Sequence, residues 1–277
     1  MIEFFNSVFV FPLINILVAL YHIFSYVHLP YSLGFAIIGL TIVIRFLIYP
    51  FTATQIKASI KMQKLSPFLS KLKERHKGDN ARIQQETLKL YKEHGVNPAA
   101  GCLPVLIQMP IIWALYSVLQ KIVGLKPETV APEINKIVYF DFLHLKNAWD
   151  TTFFGVHLGQ LPSELISTVG PAIMLIPVLT GVLQFILSKM IMPSKKSIAV
   201  IEKNIEKKTN IDKKDAGDFA SAFQTQATYI FPVMIGFFSF SFPVGLSLYW
   251  NTFTIFGIIQ QYKIVGLGGL SEWIKKK

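Results

Sequence analysis

The stretch Thr41-Ile42-Val43-Ile44-Arg45-Phe46-Leu47-Ile48-Tyr49-Pro50 decides how this chain is read. Arg45 is the one charged residue between Glu3 and Lys57, so it stands inside an apolar run of the kind that crosses a bilayer. A charge at the centre of such a helix costs about 2.5–3.5 kcal/mol on insertion scales. Two readings compete. The guanidinium either snorkels to a headgroup or pairs with a carboxylate on another helix, or it faces a wet cavity on a functional pathway. The other apolar runs contain no Asp or Glu, which leaves an ion pair without a partner and favours the cavity.

Composition agrees with a membrane protein. The 277 residues are 52% hydrophobic and 16% charged, against about 25% charged in soluble domains. Of 27 basic residues only Arg45, Arg75 and Arg82 are arginine, so lysines in the polar stretches carry the net charge of +11. That balance suits anionic lipids or an acidic partner such as ribosomal RNA. Cys102 is the only cysteine; it offers no intramolecular disulfide and no thiolate metal site, and its expected role is that of a small buried apolar residue.

Around Arg45, residues 31–51 are long enough for a first transmembrane helix, since about 20 residues at 1.5 Å each cross about 30 Å. Thr41 lies one turn before Arg45 on the same face. Upstream, residues 1–30 are apolar and lack a basic start and a small-residue cleavage site. Asn15, His22 and Tyr26 make a narrow polar stripe there, and the reading preferred is an amphipathic helix in the interface over a further span.

Downstream, residues 52–97 hold ten Lys or Arg against four acids. Ser66-Pro67 reads as a helix start, Lys77-Gly78-Asp79-Asn80 as a turn, and Ile83, Thr87, Leu90 and Tyr91 as one side of a second helix. The expectation is a basic cytoplasmic hairpin of two short antiparallel helices, whose apolar side rests on the membrane or a partner. Residues 103–123 form the next span, with Gln108 between Pro104 and Pro110; Gln108 reads as an interhelical hydrogen bonder or a cavity wall.

Acids outnumber lysines over residues 124–167, which marks the outer side. Prolines there exclude a long helix, and Tyr139, Phe140, Phe142, Trp149, Phe153 and Phe154 suggest segments at the interface. His144 and His157 are too far apart in sequence to read as a metal pair. Residues 169–191, with Gln184, form a third span, and lysine excess returns residues 192–224 to the cytoplasmic side. Residues 219–262 carry no Lys, Arg, Asp or Glu. As a single helix they would run about 66 Å, twice the hydrocarbon thickness, so they fold back at Phe242-Pro243-Val244-Gly245. Spans at 226–241 and 245–263 follow, with a cytoplasmic tail over 264–277.

Thr41-Ile42-Val43-Ile44-Arg45 with Tyr49-Pro50, then Asn97-Pro98-Ala99-Ala100-Gly101-Cys102-Leu103-Pro104-Val105-Leu106-Ile107-Gln108-Met109-Pro110, then Phe242-Pro243-Val244-Gly245-Leu246-Ser247-Leu248-Tyr249-Trp250, together resemble the YidC family of membrane protein insertases. The resemblance runs from about residue 4 to residue 263. It implies an all-α polytopic fold, five transmembrane helices around a hydrophilic groove open to the cytoplasm, with the hairpin and an N-terminal interfacial helix. Arg45 and Thr41 match the family's groove residues; Tyr249 and Trp250 match an aromatic pair facing groove or substrate; Gln184 falls where some relatives carry a groove glutamine.

By the same resemblance the partners are nascent membrane proteins, the ribosome and, beside them, the Sec translocon, with anionic lipids around a working monomer in a bacterial cytoplasmic membrane, N-terminus outside and C-terminus inside. Set beside longer members, the chain is expected to do without their large outer domain and, with a short tail of three terminal lysines, without a strong ribosome-binding tail. DNA is not an expected partner, and no cofactor or metal is expected. A phosphate-binding Gly-Lys-Ser/Thr loop, a His-Glu-x-x-His and a Gly-x-Ser-x-Gly are all absent, so the chain is not read as an enzyme. The alternative is an anion or small-solute transporter with Arg45 as the binding charge, against which the chain shows no internal repeat.

Overall fold

Apolar runs alternating with lysine-rich stretches become a succession of helices in the computed structural model, which describes residues 2–95, 97, 103–119, 127–192 and 226–274. Pro98–Cys102, the charged loop beyond Met192 and Lys275–Lys277 lie outside the described residues. A turn of helix at Ile2–Phe5 and a π-helix at Asn6–Val10 lead into α1 (Phe11–Tyr26). Then come α2 (Ser32–Arg75), α3 (Asn80–Glu93), α4 (Leu103–Val118), α5 (Pro127–Asn135), α6 (Pro162–Val169), α7 (Leu175–Ile191), α8 (Phe231–Phe238), α9 (Val244–Val265) and α10 (Ser271–Ile274). The strands β1 (Thr152–Phe153) and β2 (Val156–His157) form one antiparallel hairpin. The molecule is an all-α polytopic membrane protein. Glu3–Tyr26, Ser32–Met62 and Pro171–Ile191 are each long and apolar enough to cross a membrane, and Thr228–Ser241 is a shorter apolar helix. Phe46, Leu47, Leu175, Val233 and Phe237 are all largely exposed, an apolar surface suited to lipid.

Two π-helices have one cause. Asn6–Val10 and Gln226–Ile230 each stop just before a Phe-Pro pair, Phe11-Pro12 and Phe231-Pro232. Proline lacks an N–H and its ring clashes with the carbonyl four residues back, here Val8 and Thr228. Widening the preceding turn to an i→i+5 pattern relieves the clash without ending the helix.

The chain divides into two compact units. The first comprises Met1–Ile48, Leu106–Gln184 and Val233–Phe256. Its core holds Ile14, Leu17, Ile37, Leu40, Leu115 and Leu158, all buried. The polar stripe of the first helix is used inward: Asn15 Nδ2 donates to Ile137 O (3.3 Å), Asn15 Oδ1 accepts from Tyr139 N (2.7 Å), and His22 Nε2 lies 3.1 Å from Leu143 O. Those two residues therefore hold the segment after α5; of the stripe only Tyr26 is strongly exposed. Of the aromatics read as interfacial, Tyr139, Phe140, Phe142 and Phe154 are exposed, whereas Trp149 is buried against Tyr21. Phe153 lies over Gly34, where a Cβ would collide with its ring. His157 spends Nε2 on Thr151 Oγ1 at 2.7 Å, while His144 stands 3.8 Å from Asp141.

The turn before α9 is closed by the same unit. Val244 N donates to Gln160 O (3.0 Å) and Gly245 N to Leu158 O (2.7 Å), so two of the donors left free at a helix start find backbone acceptors. Gly245 permits this approach: a Cβ there would stand 2.9 Å from Leu119 Cδ2 and 3.1 Å from Leu158 O. Small residues also let α7 and α8 meet closely, a Cβ on Gly236 falling 3.2 Å from Gly181 Cα. Ser239 Oγ then bonds Ser247 Oγ at 2.9 Å.

The second unit comprises Tyr49–Val105, Phe185–Pro232 and Gly257–Lys277. Here one expectation is corrected. Ser66-Pro67 does not start a helix, because α2 runs unbroken from Ser32 to Arg75, and the first arm of the hairpin is its C-terminal part. A helix-interior proline costs about 3 kcal/mol, and an apolar span continuing into Lys- and Gln-rich helix-forming sequence makes a long helix that carries it. The turn does form, with Gly78 at φ 96° and Asp79 capping α3 by accepting from Arg82 N at 3.0 Å. Ile83, Thr87, Leu90 and Tyr91 make the half-buried side of α3, and Phe68 meets His94 with ring centroids 6.1 Å apart.

Candidate functional site

Arg45 sits on α2 with only 5% of its surface exposed. Its Nη2 donates to the main-chain oxygen of Phe253, and its Cζ lies 3.4 Å from the centre of the Phe253 ring. A second ring, Phe256, stands at 5.8 Å and packs edge-on against Phe46. Among the described residues no carboxylate comes within ion-pair distance of the guanidinium, and its buried Nε finds no acceptor. The arginine is thus roofed by an aromatic ring and anchored to a helix carbonyl, two partners that the sequence reading did not name.

Magnitudes show why it can rest there. A desolvated cation–π contact contributes about 2 kcal/mol, and a hydrogen bond from a charged group about 1.5–3 kcal/mol. Together, at about 3.5–5 kcal/mol, these cover the insertion cost of about 2.5–3.5 kcal/mol. No carboxylate is required for stability, and among the described residues none compensates the positive charge.

One turn before Phe253 on α9 stands Tyr249, fully buried, with ring centroids 5.7 Å apart. Its hydroxyl accepts from Gln108 Nε2 at 2.8 Å. Arg45, Phe253, Tyr249 and Gln108 therefore form one connected set, contributed by α2, α9 and α4. Thr41 is buried beside it, but its hydroxyl donates to Ile37 O of its own helix at 2.7 Å, the common fate of a membrane threonine. Trp250, a further 100° round α9 from Tyr249, faces α7 instead, where its indole N–H donates to Gln184 Oε1 at 3.3 Å. The six residues singled out from sequence thus fall into two groups: Thr41, Arg45, Gln108 and Tyr249 in one, Gln184 and Trp250 in the other.

Three residues of this neighbourhood escaped the sequence reading. Phe253 and Phe256 were not singled out, and the available signal was that Phe253 lies four residues after Tyr249. Asn251 is buried with its Oδ1 unpartnered among the described residues. An asparagine inside an apolar run was the signal for it. Among the described residues no group of three or more His, Cys, Asp or Glu is placed to hold a metal ion.

Chemically, the arrangement offers a fixed positive charge, a phenol and an amide in apolar surroundings. Comparison with known proteins gives a second line of evidence. The model of the family described as "60Kd inner membrane protein" matches residues 23–267. "Membrane protein insertase YidC" of Fusobacterium nucleatum is 30% identical over 86% of this chain and 88% of its own length. The protein of the same name from Streptomyces avermitilis is 32% identical over 84% of this chain. "ALBINO3-like protein 1, chloroplastic" of Arabidopsis thaliana is 33% identical over 91% of this chain. The chain spans about half the length of the last two, 51% and 47%.

Proposed function

We propose, since this chain belongs to the 60Kd inner membrane protein family, that it is a membrane protein insertase and folding chaperone, passing short polar tails of newly made membrane proteins across the bilayer. The observation that carries the reading is the state of Arg45: a buried cation with no carboxylate near it among the described residues, held by a carbonyl and by aromatic rings. A site that lacks an anion of its own is suited to receive one.

The physical task is desolvation. A polar tail crossing hydrocarbon leaves groups unsatisfied at several kcal/mol each. A groove partly hydrated from the cytoplasm shortens the dry path, and Arg45 draws an acidic side chain into it. The incoming carboxylate displaces the Phe253 carbonyl as the guanidinium's acceptor and is held there by the positive charge. Gln108 and Tyr249 present a donor and an acceptor beside it, while Trp250 and the exposed aliphatic surface of the spans receive the apolar part of the substrate. None of these steps makes or breaks a covalent bond.

In this reading five helices cross the membrane, at 31–51, 103–123, 169–191, 226–241 and 245–263. The N-terminal helix lies in the outer interface, and the basic hairpin and C-terminus face the cytoplasm of a bacterium. The lysine-rich stretches 52–97, 192–224 and 263–277 and the acid-rich stretch 124–167 fall in the required order. The packing of Asn15 and His22 onto the segment after α5 supports placing that helix with the outer loop. Nascent chains on ribosomes supply the substrate, the Sec translocon is an optional neighbour, and one copy suffices.

An insertion assay at equal protein level tests this. For a substrate with an acidic translocated tail, Arg45→Lys retains insertion and Arg45→Ala loses it, whereas a tail without acids is insensitive to both. Equal insertion of the acidic tail by wild type and Arg45→Ala overturns the proposal. Loss with Arg45→Lys as well assigns the effect to bidentate geometry rather than to charge alone.

A further inference from the structure

Beyond α9 the chain doubles back, with Gly266 at φ 85° and a 3-10 turn at Gly268–Leu270 leading into α10. This segment docks on the last turn of α7, where a helix leaves carbonyls without partners. Gly269 N donates to Met192 O at 2.8 Å, and Gln261 Nε2 to Met190 O at 3.3 Å. The approach depends on glycine: a Cβ on Gly268 would overlap the Met190 carbonyl, and one on Gly269 would stand 2.9 Å from Lys189 O.

The docking assembles a cluster around Lys189. Its Nζ lies 5.5 Å from the Trp273 ring centre and 5.8 Å from that of Tyr229. Phe185, one turn earlier on α7, fills the space below, 5.7 Å from Trp273 and 5.8 Å from Tyr229. Among the described residues no carboxylate is within ion-pair distance of Lys189, Glu272 of α10 included. Trp273 is 54% exposed and Tyr229 46%.

Position decides what such a cluster meets. Lys189 stands two residues before the end of Pro171–Ile191, a helix long and apolar enough to cross a membrane. One end of that span is where hydrocarbon gives way to headgroups, the layer in which amphipathic Trp and Tyr rings reside and into which a lysine stem extends its ammonium.

We propose that Lys189, Tyr229 and Trp273 form a headgroup site for an anionic phospholipid, and that through it Gly266–Ile274 is clamped to the membrane surface. The ammonium takes the lipid phosphate, and the two rings lie among the glycerol and ester groups on either side. The inference does not depend on the insertion reading, because nothing in it involves Arg45 or a substrate.

The test is fluorescence of the full chain reconstituted in liposomes, taking wild-type emission minus that of Trp273→Phe as the Trp273 signal. Phosphatidylglycerol or phosphatidylcholine brominated near the headgroup end of the acyl chains is added at equal mole fraction. Both quench Trp273, the anionic lipid roughly twofold more strongly. In Lys189→Gln the two lipids quench equally, and in Lys189→Arg the preference returns, which separates loss of the charge from loss of the fold. A Trp273 signal untouched by either lipid but quenched by aqueous acrylamide overturns the proposal, and assigns the cluster to a soluble partner. Equal quenching by both lipids in the wild type overturns it too.

Discussion

The guanidinium of Arg45 lies 3.4 Å beneath the ring of Phe253 and donates to the main-chain oxygen of that same residue. One residue of α9 thus supplies both the roof and the acceptor. An intramembrane charge usually marks a pathway, and here it is held by two partners without charge.

If the ring holds the cation, the two side chains are energetically coupled. Replacing Phe253 by Leu preserves apolar bulk and removes the quadrupole, at a cost of about 0.5–2 kcal/mol. In a double-mutant cycle with Arg45→Met, unfolding in detergent shows a coupling of about 1–2 kcal/mol. A coupling indistinguishable from zero means that the ring merely lies nearby and the carbonyl alone anchors the arginine.

Tyr249 and Gln108 make a second pair. Tyr249→Phe leaves the Gln108 amide without its 2.8 Å acceptor, and destabilises by about 1–2 kcal/mol. Adding Gln108→Leu removes the orphaned donor and restores part of the loss. The thermal midpoint in detergent therefore falls with the single change and rises again with the double one. A double variant as unstable as the sum of the two singles would show that the bond is not what the buried phenol provides.

Gly245 and Gly39 differ in what surrounds them, which separates a backbone obstacle from a soft one. A Cβ at 245 meets Leu158 O at 3.1 Å as well as Leu119 Cδ2 at 2.9 Å, whereas one at 39 meets first the flexible end of Leu20 at 3.3 Å. Gly245→Ala is expected to lose about 1–3 kcal/mol by overpacking and by weakening the Gly245–Leu158 bond. Gly39→Ala falls near neutral, because helix propensity gains about 1 kcal/mol against a small clash. Equal losses at the two positions in a thermal-shift comparison would contradict this account.

What was legible in the sequence follows from what leaves a trace in it. The turn at Phe242–Gly245 was readable because prolines and the absence of charge over residues 219–262 leave few foldings, whereas the division of 226–241 into a π-helix, α8 and a 3-10 turn was not. The hairpin turn was readable from Gly78 and Asp79, but not the length of α2, since Ser66-Pro67 has the signature of a helix start and only tertiary context overrides it. Arg45 was found by its charge. Its partners were not, because a backbone carbonyl has no sequence signature and Phe253 is one phenylalanine among 23. The connection of Tyr249 with Gln108 was hidden for a related reason: the residues are 141 apart in sequence, and periodicity reports only which face of its own helix a side chain occupies.

The N-terminal stripe carries the same lesson and a prediction. Spacing revealed that Asn15 and His22 share a face, but a polar face toward headgroups and one toward a neighbour's backbone have the same period. The structure selects the second, with Asn15 accepting from Tyr139 N and donating to Ile137 O. The Tyr139 amide should therefore exchange slowly with deuterium in the wild type and faster in Asn15→Ala, by roughly the factor of 10 that corresponds to 1.4 kcal/mol. Asn15→Asp keeps the acceptor and loses the donor, so Tyr139 stays protected while the Ile137 carbonyl is freed. An Asn15→Ala variant with wild-type protection at Tyr139 would return the stripe to the membrane interface, because only then would the asparagine face solvent or headgroups instead of the chain's own backbone.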